Sequence, residues 1–86
     1  MHYITLDARR LNDRAEAHRY LAEMLDLPAY YGNNLDALAD CLSEFGADTH
    51  VTLLFADALY GYGLGVREVL EEAAAQPHAF FLTVHE

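Results

Sequence analysis

The sequence contains no lysine and no tryptophan, a single cysteine and only two prolines. One cysteine excludes an internal disulfide and any multi-cysteine metal site, and it fits a reducing interior compartment. The N-terminus carries no basic start followed by a long apolar run. No secretory leader is therefore expected, and no stretch is long enough to span a membrane. Low-complexity runs and internal repeats are absent. With 53% apolar residues in 86, the chain can close one compact core, so a single domain over residues 1–86 is expected. A cytoplasmic location is expected on the same grounds.

The missing lysine sharpens the charge. All five cations are arginines, at 9, 10, 14, 19 and 67, against fourteen acids, for a net charge of −9. Between Arg19 and Arg67 there is no basic residue but seven acids: Glu23, Asp26, Asp36, Asp40, Glu44, Asp48 and Asp57. Nucleic acid and anionic membrane are disfavoured as partners, since phosphates need neutralising cations. A cationic partner is favoured, because opposite fields speed the encounter. An acidic bias shared by a whole proteome, as in salt-adapted organisms, gives the same composition.

Residues 2–7 alternate and carry β-formers, which predicts a strand. Asp13 followed by Glu16 resembles a capping box, and apolar residues then recur at helical spacing to about residue 26, where Pro28 closes the helix. A second helix is expected from about 34 to 46, ended by Gly46. Residues 50–55 are apolar nearly throughout and predict a central strand. Residues 56–65 include Tyr60-Gly-Tyr-Gly-Leu-Gly65, which lacks the spacing and the cation of a phosphate cradle and predicts a flexible loop after one short helical turn. A helix over 64–76 and a strand over 79–84 complete the chain. Strands separated by helical stretches favour parallel pairing, so the fold class is α/β: a three-stranded parallel sheet with about four helices.

The stretch 27–45 organises the rest. Pro28 and Gly32 rule out helix before residue 33, and Asn33 or Asn34 can cap the helix that follows. Leu35, Leu38, Cys41, Leu42 and Phe45 share one side at about 100° per residue. Asp36, Asp40, Glu44 and Asp48 follow at intervals of four, with no basic residue among them. Like charges at that spacing cost roughly 0.2–0.5 kcal/mol per pair. A locally unfavourable pattern is often functional, and a binding surface is the favoured account over a merely solvated face.

Other chemistries are poorly supported. Asp36 and Asp40 have no evident apolar pocket to part their pKa values for acid–base work. The histidines at 2, 18, 50, 78 and 85 show no ligand spacing, and no metal or cofactor is expected. His18 is expected simply to sit along its helix, and Cys41 to pack on the apolar side. Tyr30 and Tyr31, in a turn beside the acidic face, either pack inward or anchor a partner.

The run Leu27-Pro-Ala-Tyr-Tyr-Gly-Asn-Asn-Leu-Asp-Ala-Leu-Ala-Asp-Cys-Leu42 closely resembles the signature of the barstar family, intracellular inhibitors of barnase-type secreted ribonucleases. The resemblance implies a non-enzymatic α/β protein that binds no cofactor and plugs the active site of a basic ribonuclease, one-to-one. It implies Tyr30 as an aromatic anchor, with Asp36 and Asp40 facing the nuclease and Asp40 in its phosphate pocket. Gly32, Asn34 and Ser43 would line the contact, alongside Tyr31, and Glu72 on the later helix matches an additional acidic contact. The family example carries tryptophan where this chain has Ala39, glycine where it has Glu44, and another tryptophan at Phe45. These differences bear on the identity of the target. An immunity protein for a different cationic toxin nuclease, or a general acidic interaction module, are the alternatives.

Overall fold

The computed structural model describes residues 1–86. Three strands, β1 (His2–Asp7), β2 (Thr49–Leu54) and β3 (Phe81–Val84), alternate with helices α1 (Arg14–Met24), α2 (Leu35–Leu42) and α3 (Tyr62–Ala74). Short 3-10 turns at Ala8–Arg10 and Ala56–Ala58 follow β1 and β2. The strands form one parallel sheet in the order β1-β2-β3, as the alternation of strands and helical stretches predicts.

Register places Ile4, Val51 and Leu82 in one row and Leu6, Leu53 and Val84 in another, both facing the helices. The helices complete this core with Leu21 from α1, Leu38 and Leu42 from α2, and Val66 and Leu70 from α3. Each such side chain contributes roughly 1.5–3 kcal/mol of transfer free energy. The opposite face of the sheet carries Tyr3, His50 and Phe81 in a stacked row and Thr5, Thr52 and Thr83 in the next.

Several expected boundaries are corrected. α1 begins where the Asp13 carboxylate accepts the Glu16 amide at 2.9 Å, but only half of the capping box forms, since the Glu16 side chain reaches Arg10 instead. α2 stops at Leu42 rather than 46. There the Ser43 hydroxyl donates to the Asp40 carbonyl at 2.6 Å, and the Glu44 and Phe45 amides turn to carbonyls three residues back, tightening the backbone out of the α-helix. Glu44 therefore lies just past the helix and Asp48 far from it, so the four-acid helical face reduces to Asp36 and Asp40. β3 starts at Phe81, two residues later than expected.

The glycine-rich stretch is a loop only as far as Gly61. α3 begins at Tyr62 after Gly61, whose φ of +53° suits glycine, and Gly63 and Gly65 lie inside the helix. A β-carbon at Gly63 would collide with Asn12, and one at Gly65 would press on Leu35. Asn12 spans the two connections, donating to the Ala58 carbonyl at 3.0 Å and accepting the Tyr60 amide at 2.9 Å. These glycines exist for close packing.

Candidate protein-binding surface

The turn that precedes α2 is built by local hydrogen bonds. α1 ends with Asp26 in the left-handed region and the Leu27 amide returning to Ala22, and the Tyr31 amide then bonds Pro28. Asn34 caps α2: its Oδ1 accepts the Ala37 amide at 2.8 Å while its Nδ2 donates to the Gly32 carbonyl at 3.2 Å. One side chain thus fixes both the helix start and the turn that carries the two tyrosines.

Those tyrosines part company. Tyr30 is 88% exposed, whereas Tyr31 is buried. The Tyr31 hydroxyl meets Nδ1 of His18, and Nε2 of the same imidazole meets the hydroxyl of Tyr62. His18 is therefore no passive helix residue but a buried bridge between α1, the turn and α3. Burial, aided by the nearby Arg14, lowers its pKa, so it is held neutral, accepting from one hydroxyl and donating to the other. Burial pushes the Tyr31 hydroxyl pKa upward, with Tyr62 and Cys41 adding to the shift. The Cys41 thiol pKa is raised by burial, then by Glu44 and Asp40.

The remaining residues singled out in the sequence, Gly32, Asn34, Asp36, Ala39, Asp40, Ser43 and Glu44, are all exposed along α2 and its ends. Glu72 joins them from α3, where it shares a groove with Ala39 and Ser43. Tyr31 is the one member turned to the interior. None of the carboxylates of Asp36, Asp40, Glu44 and Glu72 takes part in an ion pair or side-chain hydrogen bond. The ion pairs that do form, Asp7–Arg9, Glu16–Arg10 and Arg67 with Glu71 and Glu86, include none of these four carboxylates, although Arg67 and Glu71 share α3 with Glu72. No three His, Cys, Asp or Glu side chains converge as a metal cluster, and no helix is long and apolar enough to cross a membrane.

Comparison with known proteins places this α/β domain in a family. The model of the family Barstar (barnase inhibitor) matches residues 1–84. The chain belongs to the barstar family. A relative from Bacillus subtilis (strain 168), "Putative ribonuclease inhibitor YrdF", is 39% identical over 79 residues, covering 85% of this chain and 86% of the relative.

Sequence reasoning missed His18 and Tyr62 as supports of the turn before α2, and Asn12 as the brace between the 3-10 turn after β2 and the start of α3. Their contacts span 13 to 48 residues of chain, and no local periodicity signals such a meeting. It also missed Val69, Ala73 and Gln76, which border the groove beside Ala39.

Proposed function

We propose that this protein inhibits a basic microbial ribonuclease of the barnase group by seating α2 and the preceding turn in the enzyme's active site, one inhibitor per enzyme. The observation that carries this is the unpaired state of Asp36, Asp40, Glu44 and Glu72 on that surface, while the nearest free arginines, Arg14 and Arg19, share a cleft with Gly32 and Asn33 of the preceding turn. An RNA-cleaving site must present cations to hold phosphate, and Asp36 and Asp40 supply fixed counter-charges for those cations. Asp40, at the middle of α2, would occupy the phosphate position, while Tyr30 would lie on the imidazole of the active-site histidine. Gly32, Asn34 and Ser43 would line the contact and Glu44 and Glu72 extend it. No bond is made or broken by the inhibitor, and no cofactor is needed. An inhibitor of a secreted nuclease guards its producer from inside, so the cytoplasm is its place.

Family membership and the name of the Bacillus relative support this reading. The small Ala39 and the extra charge of Glu44, at positions where the family example has tryptophan and glycine, favour a nuclease other than barnase itself as the cognate target. The test is a ribonuclease assay titrated with this protein against barnase-like enzymes. Loss of activity with a sharp endpoint at equimolar inhibitor is expected. If every enzyme of that group stays active at micromolar inhibitor, the proposal is wrong.

A further inference from the structure

Of the three clefts in the surface, two carry carboxylates and no arginine, and the third reverses that sign. It encloses about 740 Å³ between the first turns of α1 and the turn that precedes α2. Arg14 and Arg19 line it against a single carboxylate, Asp13, in a chain whose net charge is −9. Neither guanidinium enters an ion pair, although Arg9, Arg10 and Arg67 each find one. Fourteen acids in the chain could quench them, and none does.

Helical spacing sets one wall. Arg14 and His18 are four apart, as are Ala15 and Arg19, so two rows run side by side along α1. His18 spends both ring nitrogens on Tyr31 and Tyr62, so it holds the wall in place and offers the cleft no hydrogen bond. Asp13 uses one carboxylate oxygen on the Glu16 amide and keeps the other as an acceptor. On the opposite wall, the Gly32 and Asn33 amides and the Asn33 side chain are unbonded within the chain. Ala15 is the one apolar residue of the lining, so an apolar guest gains little there. Two guanidinium forks match phosphate oxygens, while the free Asp13 oxygen and the Asn33 amide suit hydroxyl groups. Clefts of roughly 300–1,000 Å³ take whole small ligands, so the space exceeds what one phosphate fills. No Tyr, Phe or Trp lines it, and a nucleobase would find nothing to stack on.

We propose that this cleft binds a small phosphate monoester on a hydroxyl-bearing body, a sugar phosphate in kind, with its phosphate between Arg14 and Arg19 and its hydroxyls toward Asp13 and Asn33. The negative field of the whole chain opposes any anion. A monoanion meeting one guanidinium therefore gains less than a dianion held by both, which favours a phosphate ester over a carboxylate. The site stands apart from the nuclease-inhibitor reading, since no carboxylate of α2 lines it. It would also give the turn a second tie. Gly32 and Asn33 belong both to the cleft and to the segment that carries Tyr30, so an occupied cleft joins that segment to α1.

The test needs no nuclease. Backbone amide resonances of the full chain are followed at fixed pH and ionic strength during titration with glucose 6-phosphate, inorganic phosphate, acetate and glucose. Saturable shifts centred on Arg14, Ala15, Gly32 and Asn33 are expected, tightest with glucose 6-phosphate, weaker with inorganic phosphate and absent with glucose. Arg14→Gln and Arg19→Gln, both at exposed positions, should each weaken the sugar phosphate about tenfold or more, while the rest of the spectrum stays native. Glucose 6-phosphate should also raise the unfolding midpoint of the wild-type chain more than that of either variant, because a ligand of the folded state stabilises it by mass action. No saturable shift, or shifts of equal strength in wild type and both variants, would remove the site. Acetate binding as tightly as phosphate would make the arginine pair a carboxylate clamp and overturn the phosphate assignment. Inorganic phosphate matching the sugar phosphate would remove the hydroxyl-bearing body, and glucose matching it would remove the arginines as the anchor. None of these results depends on whether the chain inhibits a ribonuclease, so the two proposals fail separately.

Discussion

Asp40 and His18 show how differently two side chains can serve one surface. Asp40 is exposed and makes no side-chain bond, so the free protein gains nothing from it. Asp40→Ala should leave stability unchanged or slightly raised, because Asp36 loses a like-charged neighbour and alanine is the better helix former. In the complex the same change leaves nuclease cations buried without a counter-charge, at a cost of roughly 2–5 kcal/mol or more, expressed mainly as faster dissociation. Measuring the unfolding midpoint and the inhibition constant on one preparation, with the exposed Glu23→Ala as control, separates the two effects. Equal and small losses in both variants would deny Asp40 a central place. His18 is the converse, buried and fully bonded. The folded state lowers its pKa below the ordinary value near 6.5, so between those limits the unfolded chain binds a proton that the folded chain refuses. Its contribution is therefore whole above pH 6.5 and is lost as pH falls through the folded pKa. A denaturation series from pH 7.5 to 5 should show this fall in wild type and a shallower one in His18→Gln. Parallel curves would show that His18 does not titrate with unfolding.

α2 is only eight residues long, and a helix of that length has little stability of its own. It stands because Leu38 and Leu42 are buried and because Asn34 satisfies its first turn. Asn34→Ala should cost about 1 kcal/mol in unfolding free energy. It should also weaken inhibition, by less than Asp40→Ala, because the turn bearing Tyr30 loses its brace to Gly32. A cap mutant with native stability would mean that packing alone sets the start of α2. The cap was legible in the sequence to one of two adjacent asparagines, as were β1 and the central β2, since each is written in adjacent residues: an asparagine before a periodic run, alternation, an apolar block. The end of α2 was not. Gly46 looked like the stop, but the Ser43 hydroxyl competes for a helical carbonyl three residues earlier, and sequence pattern does not say which way a serine turns. Nor could the glycine run be read, because Gly63 and Gly65 answer to Asn12 and Leu35, which are distant along the chain. The signature over 27–42 located the surface, and the bridge that holds its turn, His18 with Tyr31 and Tyr62, became visible only once three elements were packed together.

Across the whole molecule, charge is segregated. Four of the five arginines lie between residues 9 and 19, on the turn after β1 and on α1, with Arg14 and Arg19 beside Gly32 and Asn33, while α2 itself and the segment from it to β2 carry carboxylates alone. A net charge of −9 on 86 residues repels itself when the protein is free and attracts a basic enzyme over distances larger than any contact. Barstar with barnase is itself a reference case of such steering, so fast association at low salt carries no magnitude peculiar to this chain. The sign pattern does carry information. Screening shortens the reach of the field from roughly 30 Å at 0.01 M salt to about 10 Å at 0.1 M. Over that range, stopped-flow association with the target should slow markedly while dissociation changes little, because close pairs inside the complex are screened least. The same salt relieves self-repulsion in the free protein, so its unfolding midpoint should rise. Sodium chloride keeps the comparison clear of the general stabilisation produced by sulfate or phosphate. Salt should thus act with opposite signs on folding and on capture. A capture rate indifferent to salt, alongside a rising midpoint, would show that the acidic surface burdens the fold without guiding the partner, and the case for α2 as the steering element would be lost.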